Sequence, residues 1–534
     1  MATTNDADTI FDHLRRMVTF SPSVQELDND SFPQAEWNKW RSICEERWEY
    51  FTGKVWEEQA KVGASGGVSA RKYPLAINPV RTFSLKHAYT LFGEVPDNAP
   101  ALVKTKVAPV DDSEAAKAIA EQVEQAIDRI YYENNMRVLM AENGLLSQFL
   151  GGCCFKVSWA PEDILRPSGV RIERIIPDYF IGVPAGSDMW NLSEAWVIRP
   201  ITPDEARRVY NVPVVTLGQE LASVLFVEHW TRDKYRITVD GKTAHVRLSN
   251  GELSPLSGRN PFGIVPFVWI PHERAGGMRG MSLVDAVRDL AKEYNARMAD
   301  AGDAVREESK KRKVLTNAPQ GVKITQIEVG EIAYNLGMSA PGSDRPSLEV
   351  LDTPHVSANM NEFNKLLFAQ IRRDGFVPPV ADGEDEGSQR SALTLSFRMW
   401  PLTSHIRSER NYWTVGLNIL TEMILIVLAS KNPMRLDESR VPPQLLTISG
   451  QHLGHMKMQD WSPIVPRDRE QLVNEMILRA QANHVGPQTA LREYGDVDDI
   501  DKEIEQIEEW LRITGQLENP QTDTNEPVAA SVAE

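Results

Sequence analysis

Two segments with a narrow apolar stripe enclose a stretch that has none. In the first, Leu283, Val287, Leu290, Tyr294, Met298, Ala301 and Val305 recur every three or four residues, the spacing of one face of an α-helix. In the second, Ser357 to Arg373, the stripe is Met360, Phe363, Leu367 and Ile371. The other faces are charged, and a stripe this narrow packs against neighbours instead of filling an apolar core. Ser282-Leu-Val-Asp285 fits a capping box at the head of the first helix. Between the two, Val314 to about Pro354 carries Gly321, Gly330, Gly337, Pro341 and Gly342 and reads as a compact strand-and-turn module. The chain therefore runs out along one helix, makes an excursion, and returns along another. Such a pair calls for partners on both sides, as a closed ring of heterologous contacts supplies.

The flanking chain changes period twice. Phe32 to about Lys61 has Trp37, Trp40, Ile43, Trp48, Phe51 and Val55 at helical spacing. Asn78 to Phe92 is a second apolar segment. Ser113 to Asn134 predicts a helix, with Asp111 or Ser113 as its cap and Ile119, Val123, Ile127 and Ile130 on one face. A further helix, Arg137 to Leu150, ends at Gly151-Gly152. Strands are then expected at Cys154–Trp159, Val170–Ile176, Glu194–Arg199, Val224–Trp230, Tyr235–Val239 and His245–Leu248. Asp240-Gly241 is a strong hairpin turn and Asn250-Gly251 a second. Residues 151–275 thus read as an α+β region rich in antiparallel strands. After the second stripe comes a loop, Gly375 to Ser388, then a long helix from Ser391 to about Ser430 that Pro401 should interrupt. Helices are expected at Arg467–Ala482, after Pro487, and at Asp498 to about Ile513. From Asn519 the chain is polar and reads as disordered. The class is α+β, mainly helical.

Charge and chemistry narrow the function. Lys plus Arg is 58 and Asp plus Glu is 75, a net charge of −17. Such a chain does not coat DNA over its whole surface, which needs net positive faces. Cys44, Cys153 and Cys154 form no disulfide framework, so the expected setting is reducing, and Cys153 and Cys154, entering a strand, are expected to be buried. The N-terminus carries Asp6, Asp8 and Asp12, unlike a signal peptide. The most apolar run, Met423 to Ala429, is far short of the ~20 residues that span a bilayer. The expectation is a soluble protein, intracellular where it is made. Gly63-Ala-Ser65-Gly-Gly67 imitates a serine-hydrolase elbow but follows a polar helix rather than a strand. Gly241-Lys242-Thr243 lacks the earlier glycine of a phosphate loop and reads as a hairpin. His452 and His455 have no companion ligands at metal spacing. No catalytic constellation, metal or cofactor is expected. Lys310, Lys311, Arg312 and Lys313 either contact phosphate, complement a helix dipole or form a solvated face.

The order of these parts resembles that of tailed-bacteriophage portal proteins, the head-to-tail connectors. Carrying it are Asn260-Pro-Phe-Gly-Ile-Val-Pro-Phe-Val-Trp-Ile270, Gly280-Met-Ser-Leu-Val284 and Tyr294-Asn295 in the helix that follows. The insert with Val329-Gly330-Glu-Ile332, the returning helix and Gly387-Ser-Gln-Arg-Ser-Ala-Leu393 come next. Trp461-Ser-Pro-Ile-Val-Pro-Arg-Asp468 and His484-Val-Gly-Pro-Gln-Thr489 close the series. The resemblance spans about Thr82 to Trp510. It implies a ring subunit, a dodecamer in the family, at one capsid vertex. Residues 1–280 and 391–460 would be the wing, 281–309 and 357–374 the two stem helices, and 310–356 the clip. Residues 375–390 would be the tunnel loop, 461–515 the crown and 516–534 a disordered tail. The implied function is a channel for packaging and ejecting double-stranded DNA, with no enzymatic activity and no cofactor. Implied partners are the terminase large subunit, head-tail adaptors, scaffold and the major capsid protein, without a membrane. The implied location is the virion, with host cytoplasm during assembly. Asp382, Glu384, Asp385 and Glu386, offset in part by Arg390, would make a DNA-repelling belt in the channel, and Lys310 to Lys313 would lie in the docking clip. The plainer reading of the loop is a solvated surface segment. The alternatives are a metal-dependent nuclease and another virion structural protein.

Overall fold

A computed structural model describes residues 33–56, 77–93, 102–109, 113–160, 164–213, 223–247, 251–274, 276–309, 313–316, 347–350, 358–384, 392–431, 457–462, 464, 474–479, 486 and 500–514. The chain divides into two compact units, Met1–Ile464 and Val465–Glu534. The first opens with helices α1 (Gln34–Thr52) and α2 (Pro79–Phe92), strand β1 (Val103–Val107), and helices α3 (Glu114–Glu133) and α4 (Met136–Leu150). Strands β2 (Gly152–Trp159), β3 (Val170–Ile175), β4 (Phe180–Ala185) and β5 (Asp188–Ile201) follow, then the short α5 (Pro203–Arg208). Next are β6 (Val224–Thr231), β7 (Lys234–Val239), β8 (Lys242–Thr243), β9 (His245–Arg247), β10 (Leu253–Pro255), β11 (Ser257–Arg259) and β12 (Phe267–Pro271). Helix α6 (Leu283–Ser309), strands β13 (Lys313–Thr316) and β14 (Ser347–Val350), and helices α7 (Ala358–Asp374) and α8 (Ala392–Lys431) come after them. Strand β15 (Lys457–Trp461) completes the described part of this unit. In the second unit, residues 474–479 are helical and α9 spans Ile500–Ile513.

Local signals account for many of these boundaries. Ser113 is the cap of α3, its Oγ accepting from the Ala116 amide at 3.2 Å. Asp240 (φ 51°) and Gly241 (φ 72°) make the hairpin turn between β7 and β8, where two positive φ values match the twist of the strands. β4 and the first half of β5 were not foreseen, since Gly182, Pro184 and Gly186 break the alternation there.

All pairings among the described residues are antiparallel. One sheet runs β11-β7-β6-β5-β4 with β8 beside β7, and another runs β12-β2-β3. β1 pairs with β15, β9 with β10, and β13 with β14. Asn134 closes the free edge of β3: its amide donates to the Val170 carbonyl at 3.0 Å and its oxygen accepts from the Ile172 amide at 2.9 Å.

Two large apolar clusters hold the unit together. One joins α3, α4, β2 and β3 to α8 through Ile127, Tyr131, Phe155, Trp413 and Leu420. The other joins α1 and α2 to β12 and the roots of α6 and α7 through Trp40, Phe83, Trp269, Leu283, Val287 and Ile371. Trp40 and Trp269 enclose the Arg279 guanidinium, at 4.2 and 5.3 Å from the ring centroids. All three cysteines are buried and free, and burial pushes their thiols well above the ordinary range.

α8 departs from expectation. It passes through Pro401 as one helix. Proline lacks the amide that would bond the Phe397 carbonyl, and Phe397 is 68% exposed, so water can serve that carbonyl. Thr403 and Ser404 donate to the Trp400 and Pro401 carbonyls at 3.2 and 3.1 Å. Its Thr394–Leu428 portion is also long and apolar enough to cross a membrane, with a mean hydropathy of 1.4. That property is invisible in the seven-residue run, because the apolar residues are spread over several turns. They face the core: Leu402, Ile406, Trp413, Leu417, Leu420 and Ile424 are buried, along with Glu409. A β-carbon on Gly416 would come within 2.4 Å of Ile270, so α8 lies close on β12.

Candidate functional site

The helix pair is built as its sequence suggests and rooted by contacts that the sequence hides. Ser282 and Asp285 form the reciprocal box: the Ser282 amide donates to Asp285 Oδ2 at 3.0 Å, and the Asp285 amide to Ser282 Oγ at 3.3 Å. Asp285 also holds Arg47 of α1 at 2.5 Å, and Arg47 Nη1 donates to the Leu150 carbonyl at 2.6 Å. Just before this box, Gly280 crosses Gly151. A β-carbon on either would lie 2.1–2.4 Å from the other's carbonyl oxygen, and Gly151 has φ +83°.

The two helices are antiparallel. Leu283 near the start of α6 shares a cluster with Ile371 near the end of α7, and Tyr294 meets Phe368 with centroids 5.4 Å apart. Beyond α6, Lys313 pairs with Val350 across β13 and β14. Asn295 clasps the chain ahead of α2, accepting from the Ile77 amide and donating to its carbonyl, both at 2.8 Å. Burial fades away from this root. Leu367 and Ile371 are buried as expected, but Phe363 is 44%, Leu366 63% and Val305 55% exposed.

α7 ends in an unusual turn. The Val377 amide donates to the Arg372 carbonyl at 2.9 Å and the Phe376 amide to the Arg373 carbonyl at 3.1 Å. This is a Schellman motif, in which the left-handed position is normally glycine. Here it is Phe376, at φ 53°. The glycine sits one residue earlier, where a β-carbon would meet the Phe83 ring at 2.6 Å.

The chain after this turn is clamped. Pro379–Asp382 forms a 3-10 turn capped by Gly383 at φ 78°. Asp382 pairs with Lys86 of α2 and, at 3.0 Å, with Arg372 of α7. Lys86 also donates to the Ala381 carbonyl at 3.2 Å. Glu384 takes Arg372 in two bonds, at 2.6 and 2.8 Å, and these hold its carboxyl below the ordinary value. Burial and the nearby Arg372 charge lower the Lys86 ammonium.

The candidate residues therefore fare differently. Asp382 and Glu384 are brought together, but their charges are met within the chain by Lys86 and Arg372. Sequence reading missed both cations: Arg372 sits in the helix just before the loop, while Lys86 has no local signal. Asp385, Glu386 and Arg390 lie outside the described residues, as do Lys310, Lys311 and Arg312. Lys313 begins β13. The Gly63–Gly67 loop, His452 and His455 also lie outside them. No group of His, Cys, Asp or Glu among the described residues is placed to hold a metal ion.

A family model described as a phage portal protein, SPP1 Gp6-like, matches residues 198–514, more than half of the chain. None of the curated proteins matches it.

Proposed function

Because this chain belongs to the SPP1 Gp6-like family of phage portal proteins, a structural component of the virion capsid and of genome packaging and not an enzyme, we propose that its copies close into a ring around a DNA channel. The nuclease alternative falls with that membership. The observation that carries the ring is the rooted helix pair, whose outer portion leaves Phe363, Leu366 and Val305 uncovered within one chain. Neighbouring copies would cover them in a heterologous contact that closes, twelve times over in the capsid. In this reading 281–309 and 357–374 are the stem, 310–356 the clip, 375–390 the tunnel loop and 461–515 the crown, with 1–280 and 391–460 as the wing. The clip would dock the terminase large subunit during packaging and head-tail adaptors afterwards, with Lys310 to Lys313 at its near edge. Scaffold and major capsid protein would meet the wing, and DNA would enter and leave through the same channel. Assembly would take place in the host cytoplasm.

The pairing of Asp382 and Glu384 refines the expected belt. Repulsion of DNA would fall chiefly on Asp385 and Glu386, offset by Arg390. Native mass spectrometry of the purified chain at micromolar concentration is the test of the ring. A closed oligomer of ten or more copies over several salt concentrations is expected; monomer or dimer alone would overturn the reading.

A further inference from the structure

Around the turn that ends α7 lies a cluster of buried titratable groups from several elements. His87 of α2 is fully buried, and its Nε2 is 2.8 Å from the Gly375 carbonyl oxygen. A carbonyl only accepts, so Nε2 carries the proton and Nδ1 the lone pair. That Nδ1 is buried and has no hydrogen-bond partner. His405 of α8 stacks on the Phe376 ring, centroids 4.4 Å apart and planes 9° from parallel. It meets His87 and His272 edge-on at 5.2 and 5.5 Å. Glu409, one turn further along α8, is buried, accepts from Gln148 Nε2 at 2.6 Å, and lies 3.3 Å from His272 Nδ1. Glu273 beside His272 and Arg410 beside Glu409 complete the charged surroundings.

We propose that the Gly375–Phe376 turn is a protonation-controlled latch, which holds residues 375–384 against α2 and α8 while His87 and His405 are neutral and releases them when both are charged. The electrostatics are one-sided. Glu409 is the buried anion at the centre, and it can balance about one positive charge among three facing imidazoles. A proton on His87 must enter at Nδ1, where no acceptor waits. Burial, then His405, holds His87 down at about 3, and burial, then His272, lowers His405. The stack on His405 accompanies the left-handed backbone of Phe376. α2 supplies a second hold, since Lys86 on the same helix holds Asp382 and Ala381. Those contacts are partly exposed and contribute little alone. The latch needs only the fold, and works whether or not the segment faces a channel.

For each histidine neutral when closed and charged when open, the opening constant rises up to tenfold per pH unit below 6.5. The test is hydrogen exchange on the full-length protein from pH 7 to 5, above the range where Glu409 takes up a proton. Protection factors of residues 372–384 should fall more than tenfold per pH unit, while those of β2 and β3, which carry no histidine, hold. His405→Phe keeps the stack without the charge and should cut the slope by about half on a logarithmic scale. His405→Phe with His87→Gln, which keeps an amide donor for Gly375, should flatten it. An unchanged slope in His405→Phe would overturn the latch, as would loss of protection in the sheet in parallel with the turn.

Discussion

Lys156 is a buried charge held from two strands. It bridges the two main sheets, from β2 to Glu228 of β6 at 2.6 Å, with only 11% and 4% of the two side chains exposed. Trp230 donates to the same carboxylate at 2.6 Å. Burial pulls the Lys156 ammonium down, but the carboxylates of Glu228 and Glu173 override it and leave it raised. The stabilisation that goes with this raised ammonium is therefore fully present below pH 10.5 and is lost as pH rises through the raised value. Lys156→Met strands a buried carboxylate and should cost about 3–5 kcal/mol in chemical denaturation. Adding Glu228→Leu should restore most of that loss, because no uncompensated charge remains. Glu173, beside the pair, behaves oppositely. Burial raises its carboxyl, Lys156 and Arg171 override this, and it ends lowered. Its contribution is complete above pH 4.5 and is lost as pH falls through the lowered value, a decline that Glu173→Gln should remove from a stability–pH curve. Backbone crossings are as strict as charges. Gly280→Ala puts a methyl onto the Gly151 carbonyl, and at constant temperature should cost about 1–3 kcal/mol as the crossing spreads.

Among the elements, the end of α7 separates what sequence can and cannot convey. The Ser282–Asp285 box and the Asp240–Gly241 turn were legible because every group involved lies within four residues. The antiparallel pair was legible from period alone. The clamp was not: Lys86 and Asp382 are nearly three hundred positions apart, and nothing near either announces the other. The Schellman turn was hidden for a different reason, since its glycine stands one place early and Phe376 occupies the left-handed site. α8 runs on as helix through Pro401, where an interruption was expected, because a missing amide ends a helix only where nothing else meets the orphaned carbonyl, and local sequence does not fix that. The turn offers a clean comparison. Phe376→Ala and Phe376→Gly both remove the stack on His405, but alanine keeps the backbone penalty. The glycine variant should be the more stable by about 1–2 kcal/mol in thermal or chemical unfolding. A penalty-free backbone at Phe376 would make the two equal.

For the whole molecule, the question is which charges and apolar faces are left over. Phe363→Glu with Leu366→Glu should shift native mass spectra from ring to smaller species, yet change the unfolding midpoint of the isolated chain little, since both side chains are exposed. The loop carboxylates should divide into two kinds. Asp385→Lys with Glu386→Lys should slow packaging at low salt and recover as salt rises, by screening over about 8 Å at physiological strength. Asp382→Asn with Glu384→Gln removes partners of Lys86 and Arg372, so its defect should persist at every salt concentration. Packaged genome length at two ionic strengths separates the two; equal salt sensitivity would place all four side chains before the DNA. Lys313 faces Val350 across β13 and β14. Wherever the chain travels between Thr316 and Ser347, it departs and returns through neighbouring strands about 5 Å apart. To α6 and α7, whatever lies between has fixed ends, and its length enters the cost of closing it only logarithmically. That makes the position a socket: a foreign domain with adjacent termini could be grafted there, and the helices beneath would have no means of registering the exchange.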